Sequence, residues 1–84
     1  MFAMYILQSQ KDSSYYIGST SNMEKRLIKH NRGGSRYTKS KIPWVIAYKE
    51  MYNTISEAKK REYYIKSLKS KIAIAKLINN GPIV

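Results

Sequence analysis

The sequence contains no cysteine, a single histidine and only five acidic residues in 84 positions. Without cysteine there are no disulfide staples, thiolate metal sites or thiol nucleophiles, and a reducing, cytoplasmic setting fits. Long apolar runs are also missing. Met1-Phe2-Ala3-Met4-Tyr5-Ile6-Leu7 lacks a basic leader and gives way to Gln8-Ser9-Gln10 well before a signal core or membrane span is complete, so a soluble, untargeted protein is expected. There is no glycine-rich phosphate loop, no serine or cysteine triad and no His/Cys metal cluster, which removes most familiar enzyme classes. No repeat, linker or low-complexity tract divides the chain. Residues 1–84 are therefore read as one small domain that needs nearly every sizeable apolar residue for its core.

What the chain does have is positive charge. Sixteen lysines and arginines against five acids give a formal net charge of +11, a field that draws in a polyanion. Nucleic acid is the first partner to consider. An anionic membrane surface is the second, but polar residues interrupt each apolar run and argue against it.

Two short apolar runs flank the turn-rich Lys11-Asp12-Ser13-Ser14 and read as a β-hairpin. A register pairing Ser9 with Tyr16 would put Tyr5 and Tyr16 on one face, whereas a slip of one residue would separate them. Ser21 or Asn22 then caps a helix whose core face carries Met23 and Leu27, with Lys25 and Lys29 toward solvent and Arg26 and His30 bordering the apolar stripe. Gly33 and Gly34 stop it. After a basic loop from Arg32 to Lys41 and then Pro43, a third strand spans Trp44 to Met51. A second helix runs from Ile55 to about Ser67, and Ser70 caps a third, Lys71 to Asn79, stopped by Asn80-Gly81-Pro82. The order is ββαβαα.

Glu62 is the most informative single residue. Ile55, Ala58, Ile65 and Leu68 form the core stripe of the second helix, and Glu62 falls inside that stripe. A carboxylate there needs a partner, because an isolated buried charge is expensive. The partner is either a divalent metal, which phosphoryl-transfer sites hold with one or two carboxylates, or Lys59 or Lys66 on the same helix. Arg26 offers a permanently charged fork suited to phosphate, or is simply a solvated charge. His30 has the pKa for proton transfer, or is a favourable cation in the last turn of its helix. Tyr5 and Tyr16 are strand aromatics that become basic only where a metal, arginine or second phenol favours the ionised form. In the loop, Arg32, Arg36, Lys39 and Lys41 with Tyr37 form a patch able to track a phosphate backbone and stack one base. Trp44, Tyr48, Tyr63 and Tyr64 are assigned to packing.

Taken in order, these residues resemble the GIY-YIG nucleases, and most closely their small stand-alone bacterial members. Ala3-Met4-Tyr5 stands where the family has its first tripeptide, and Tyr16-Ile17-Gly18 matches the second. Arg26-Leu27-Ile28-Lys29-His30-Asn31, the basic loop with Tyr37-Thr38, and Ser56-Glu57-Ala58 leading to Glu62 follow. The likeness covers nearly the whole chain. It departs in the first tripeptide, of which only the tyrosine remains, and at Ser19, where some members carry lysine.

The resemblance implies a small α/β (α+β) domain with a three-stranded antiparallel sheet flanked by helices. It further implies cleavage of DNA phosphodiester bonds with Mg²⁺ or Mn²⁺, in DNA repair or recombination. Glu62 would hold the metal and Arg26 would stabilise the pentavalent phosphate. Tyr5 and Tyr16 would position or activate water, and His30 would assist proton transfer or hold a tyrosine. With no further domain to choose targets, DNA recognition would rest mainly on phosphate contacts. The alternative is a non-catalytic nucleic-acid-binding module on the same scaffold.

Overall fold

The first apolar run has no polar alternation, and the computed structural model, which describes residues 1–81, shows why. Strand β1 (Phe2–Ser9) is the middle of a sheet of order β2-β1-β3, antiparallel throughout, and is covered on both faces. β2 (Tyr15–Thr20) and β3 (Trp44–Tyr52) are its edges. Helix α1 (Met23–Asn31) lies between β2 and β3 in sequence, and α2 (Ile55–Ser67) and α3 (Lys71–Asn80) follow. A single 3-10 turn, Lys39–Lys41, interrupts the basic loop.

The two faces of the sheet make separate cores. On one, Met4, Ile6, Ile17 and Tyr48 pack with Ala58 and Ile65 of α2 and Ile74 of α3. On the other, Tyr5, Leu7 and Trp44 pack with Met23 of α1, and Leu27 lies against them. Each helix starts on a polar cap: Asn22, Thr54 and Ser70 accept the amides of Lys25, Glu57 and Ala73. Caps of this kind are each worth about 1 kcal/mol.

The hairpin register differs from the expected one. Tyr16 pairs with Leu7, not Ser9, and Tyr5 pairs with Gly18. Ser9, the last residue of β1, pairs with Trp44 and closes the turn instead. Its amide donates to Ser14 O at 2.8 Å, and its hydroxyl accepts the amides of Lys11 and Asp12. The shift is by two residues, so parity is kept and Tyr5 and Tyr16 still share a face.

Other expectations are corrected on α2. Ala58, Glu62 and Ile65 are buried, but Ile55 and Leu68, at the helix ends, overhang the core and are exposed. Tyr63 and Tyr64 are not core residues: they are 63% and 55% exposed, and the Tyr64 ring lies under the Arg61 guanidinium. Trp44 and Tyr48 are buried as expected. Trp44 also locks the start of β3 to the end of α1. Its amide donates to Asn31 Oδ1 at 2.6 Å, and Asn31 Nδ2 donates to Trp44 O at 3.0 Å.

Sequence reading overlooked Glu50 on β3. Its carboxylate accepts from the hydroxyls of Tyr48 and Tyr52 and from Nε and Nη2 of Arg61, so a charge between sheet and α2 is fully paired.

Candidate active site

The site begins with a missing side chain. Tyr5 and Gly18 are cross-strand partners, and the Tyr5 ring lies over Gly18. A Cβ at Gly18 would stand 2.5 Å from the Tyr5 hydroxyl and 2.7 Å from its Cζ, so only glycine lets the phenol reach along β2.

That hydroxyl meets His30 from α1, with Oη and Nε2 3.2 Å apart. On the far side of the imidazole, Nδ1 lies 2.8 Å from Thr38 Oγ1, and that hydroxyl in turn donates to Ser35 O. The imidazole thus bridges Tyr5 and Thr38, one ring nitrogen donating and the other accepting when the ring is neutral. Both ends of this relay are un-ionised at neutral pH. Burial first, then the charges of Arg26 and Lys29, lower the His30 pKa below its ordinary 6.5. Burial and the neighbouring Tyr16 raise the Tyr5 phenol far above its ordinary 10.0; Arg26 opposes this and Glu62 adds to it. His30, expected at the border of its helix's apolar stripe, is fully buried as a neutral ring. The alternative reading of His30 as a favourable cation in the last turn of its helix is therefore corrected.

Tyr16 lies nearer the surface on the same face. Its ring centroid is 4.9 Å from that of His30 and 5.8 Å from that of Tyr37. Among the described residues Arg26 has no ion pair, and its charge acts on both Tyr5 and His30.

Glu62 arrives from the opposite face of the sheet, on α2. Ser19 has the parity of core residue Ile17 and so faces that helix, and its hydroxyl donates to Glu62 Oε1 at 2.6 Å. Lys66 Nζ sits 2.6 Å from Oε2. Burial alone would raise the Glu62 pKa. The hydrogen bonds from Lys66 and Ser19, with the charges of Lys66 and Lys59, more than offset it, and the carboxyl stays ionised below its ordinary 4.5. Tyr16 and Ser19 lie on opposite faces of β2, an edge strand, so the two groups of residues flank the same strand.

Of the two partners considered for Glu62, the structure brings in Lys66. No group of three His, Cys, Asp or Glu side chains able to hold a metal occurs among the described residues. The donor set still fits Mg²⁺ or Mn²⁺ of the kind held by one carboxylate, with waters and substrate phosphate completing the shell. Binding would require Lys66 to leave Oε2.

The basic loop divides in two. Arg32, Arg36, Tyr37 and Lys39 are exposed. Lys41 is instead turned to the β1–β2 hairpin, where its Nζ lies 3.2 Å from Asp12 Oδ2 and donates to Ser14 Oγ. Thr38, between them, is fully buried; its carbonyl accepts Trp44 Nε1–H at 2.9 Å. Neither Thr38 nor Ser19 was singled out from sequence as a site residue. For Ser19 the shared parity with Ile17 was a usable signal; for Thr38 the signal was its place beside Tyr37 in the family resemblance.

The model of the GIY-YIG catalytic domain matches residues 1–77. UPF0213 protein SSP2268 of Staphylococcus saprophyticus is 48% identical over 79 residues, covering 93% of this chain and 94% of the relative. UPF0213 protein CPE1444 of Clostridium perfringens is 47% identical over 66 residues, 77% of this chain and 70% of the relative. The solution NMR structure of UPF0213 protein BH0048 from Bacillus halodurans is 31% identical and superposes with a TM-score of 0.59, over 94% of this chain and 84% of that one. The chain thus belongs to the GIY-YIG family, whose domain is of nuclease type, beside the small single-domain bacterial UPF0213 proteins.

Proposed function

We propose that this protein is a divalent-metal-dependent endonuclease that hydrolyses DNA phosphodiester bonds, with a role in DNA repair or recombination. One observation carries the reading: Tyr16 on one face of edge strand β2 adjoins His30, which bonds Tyr5 and shares α1 with Arg26, while Ser19 on the other face of β2 bonds Glu62 of α2. A packing explanation accounts for any of them alone and not for the set. The net charge of +11 supports a polyanionic substrate held largely by phosphate contacts.

In this reading Glu62 holds Mg²⁺ or Mn²⁺, which when bound supplies Lewis-acid stabilisation of the phosphate. Arg26 offers its guanidinium to the charge developing on the non-bridging oxygens. Tyr5 stays protonated and is a positioning residue, oriented by His30 and Thr38. Tyr16, the more accessible phenol, is the one able to orient water. Arg32, Arg36, Tyr37 and Lys39 track the adjoining backbone, while Lys41 chiefly fastens the loop.

The ion pair between Lys66 and Glu62 supports a second reading, a DNA-binding module in which Glu62 is structural. Nicking of plasmid and branched DNA with Mg²⁺ or Mn²⁺ separates the two. Wild-type protein should nick, and Glu62→Ala and Arg26→Ala should bind but not nick. Folded, DNA-binding wild type that leaves every substrate intact in both metals establishes the binding module. Variants that cut as well as wild type would overturn the site.

A further inference from the structure

A groove of about 430 Å³ adjoins the candidate centre, running from the start of β2 to the turn between α2 and α3. Tyr15, Tyr16 and Tyr37 line it, as do Lys66, Lys69 and Lys71. Two of these residues also belong to the centre: the Tyr16 ring is tilted against that of His30, and Lys66 pairs with Glu62. Whatever occupies the groove therefore adjoins that centre.

The lining is mostly apolar, with Ile17 and Ile74 beside the tyrosine rings, and lysines border it. Tyr37 leaves a large ring 62% exposed at the rim, tilted 36° from Tyr16, so an aromatic surface is built without being covered. Lys69 and Lys71 have no ion pair among the described residues. Lys69 also adopts φ +47, directly after the Leu68 cap of α2, a left-handed position that glycine fills without strain. A lysine is thus held where the backbone alone favours glycine, and its side chain lies on the groove.

Rings flanked by ammonium groups fit a flat aromatic ligand attached to phosphate. A base inside a continuous duplex offers no free face, because its neighbours stack on both sides. We propose that the groove takes one unpaired nucleobase of the DNA strand next to the scissile phosphate. The base stacks on Tyr37 and Tyr16, and Lys69 and Lys71 hold the flanking phosphates. The preferred substrate class is then DNA with single-stranded or branched segments. This deepens the nuclease reading and rests on it.

The test is equilibrium binding at fixed salt with EDTA, comparing a blunt duplex with one carrying a short single-stranded tail that contains 2-aminopurine. Wild type should prefer the tailed duplex by about tenfold, as one base stacked on tyrosine gives, and should quench the 2-aminopurine. Tyr37→Ala should lose most of the preference and most of the quenching. Lys69→Gly should also lose preference while melting at the same or a higher temperature, which excludes misfolding as the cause. Equal affinity for both duplexes, or an unchanged preference in both variants, overturns this inference and leaves the nuclease reading intact. If neither duplex binds, both fall.

Discussion

Gly18→Ala tests the geometry on which the site depends. The added Cβ would lie 2.5 Å from Tyr5 Oη, 2.7 Å from Cζ and 3.1 Å from Cε2. The ring is 1% exposed and cannot swing into solvent, so it must be forced off its position and away from His30 Nε2. Overpacking of this kind costs about 1–3 kcal/mol. An unpaired buried imidazole nitrogen adds about 1 kcal/mol, and the reduced freedom of the unfolded chain returns up to about 1 kcal/mol. A net loss of roughly 2 kcal/mol follows. For a domain of this size, urea slopes near 1 kcal/mol/M turn that into a midpoint lower by about 2 M at unchanged slope. A double-mutant cycle sharpens the test. In a Tyr5→Phe background the nearest atom and the His30 bond are already gone, so Gly18→Ala should cost about 1 kcal/mol less than in wild type. A neutral Gly18→Ala, or equal costs in the two backgrounds, would refute the arrangement of Tyr5 over Gly18.

His30 should make stability depend on pH in a defined window. Its folded pKa lies below 6.5, so as pH falls from 6.5 the unfolded chain takes up a proton that the folded chain refuses. Stability should decline, by at most about 1.4 kcal/mol per pH unit, until folded His30 titrates; His30→Gln should flatten this slope in urea titrations. Glu50 and Glu62, whose folded pKa values lie below 4.5, contribute stability above that pH and lose it only as pH falls further. Lys66→Met should strengthen Mn²⁺ binding in the absence of DNA by a factor of roughly three to five, the loss of a competing half-exposed ion pair worth up to about 1 kcal/mol. Isothermal calorimetry reads this directly, and unchanged affinity would show that Lys66 does not compete with the metal. Glu50→Ala should lower the urea midpoint by the equivalent of about 2 kcal/mol, because Tyr48, Tyr52 and Arg61 lose a shared acceptor. A loss under 0.5 kcal/mol, roughly the range of surface substitutions, would mean water replaces it.

The element order was legible because each signal was local: a turn cluster at residues 11–14, polar caps, glycines after α1 and a proline before β3. Glu62 stood out for the same reason, a carboxylate in an apolar stripe. What escaped were properties set across the sheet. Two-residue slips preserve parity, so the pattern of Tyr5 and Tyr16 could not distinguish Ser9 from Leu7 as the partner of Tyr16. Tyr63 and Tyr64 read as core because aromatic residues usually pack, but the width of α2 facing the sheet is used up by Ala58, Glu62 and Ile65. Glu50 drew no notice, since its pairing depends on Arg61 of α2 docking beside Tyr48 and Tyr52 of the same strand. The positioning role of Thr38 depends on a loop conformation that no periodicity encodes.

The convergence of the site from both faces of the sheet has a consequence for the making of the protein. Tyr5, Tyr16, Arg26 and His30 all leave the ribosome before Glu62. On the proposed reading, a product truncated before α2 carries the aromatic and basic residues of the site without its metal-binding carboxylate and should not cut DNA.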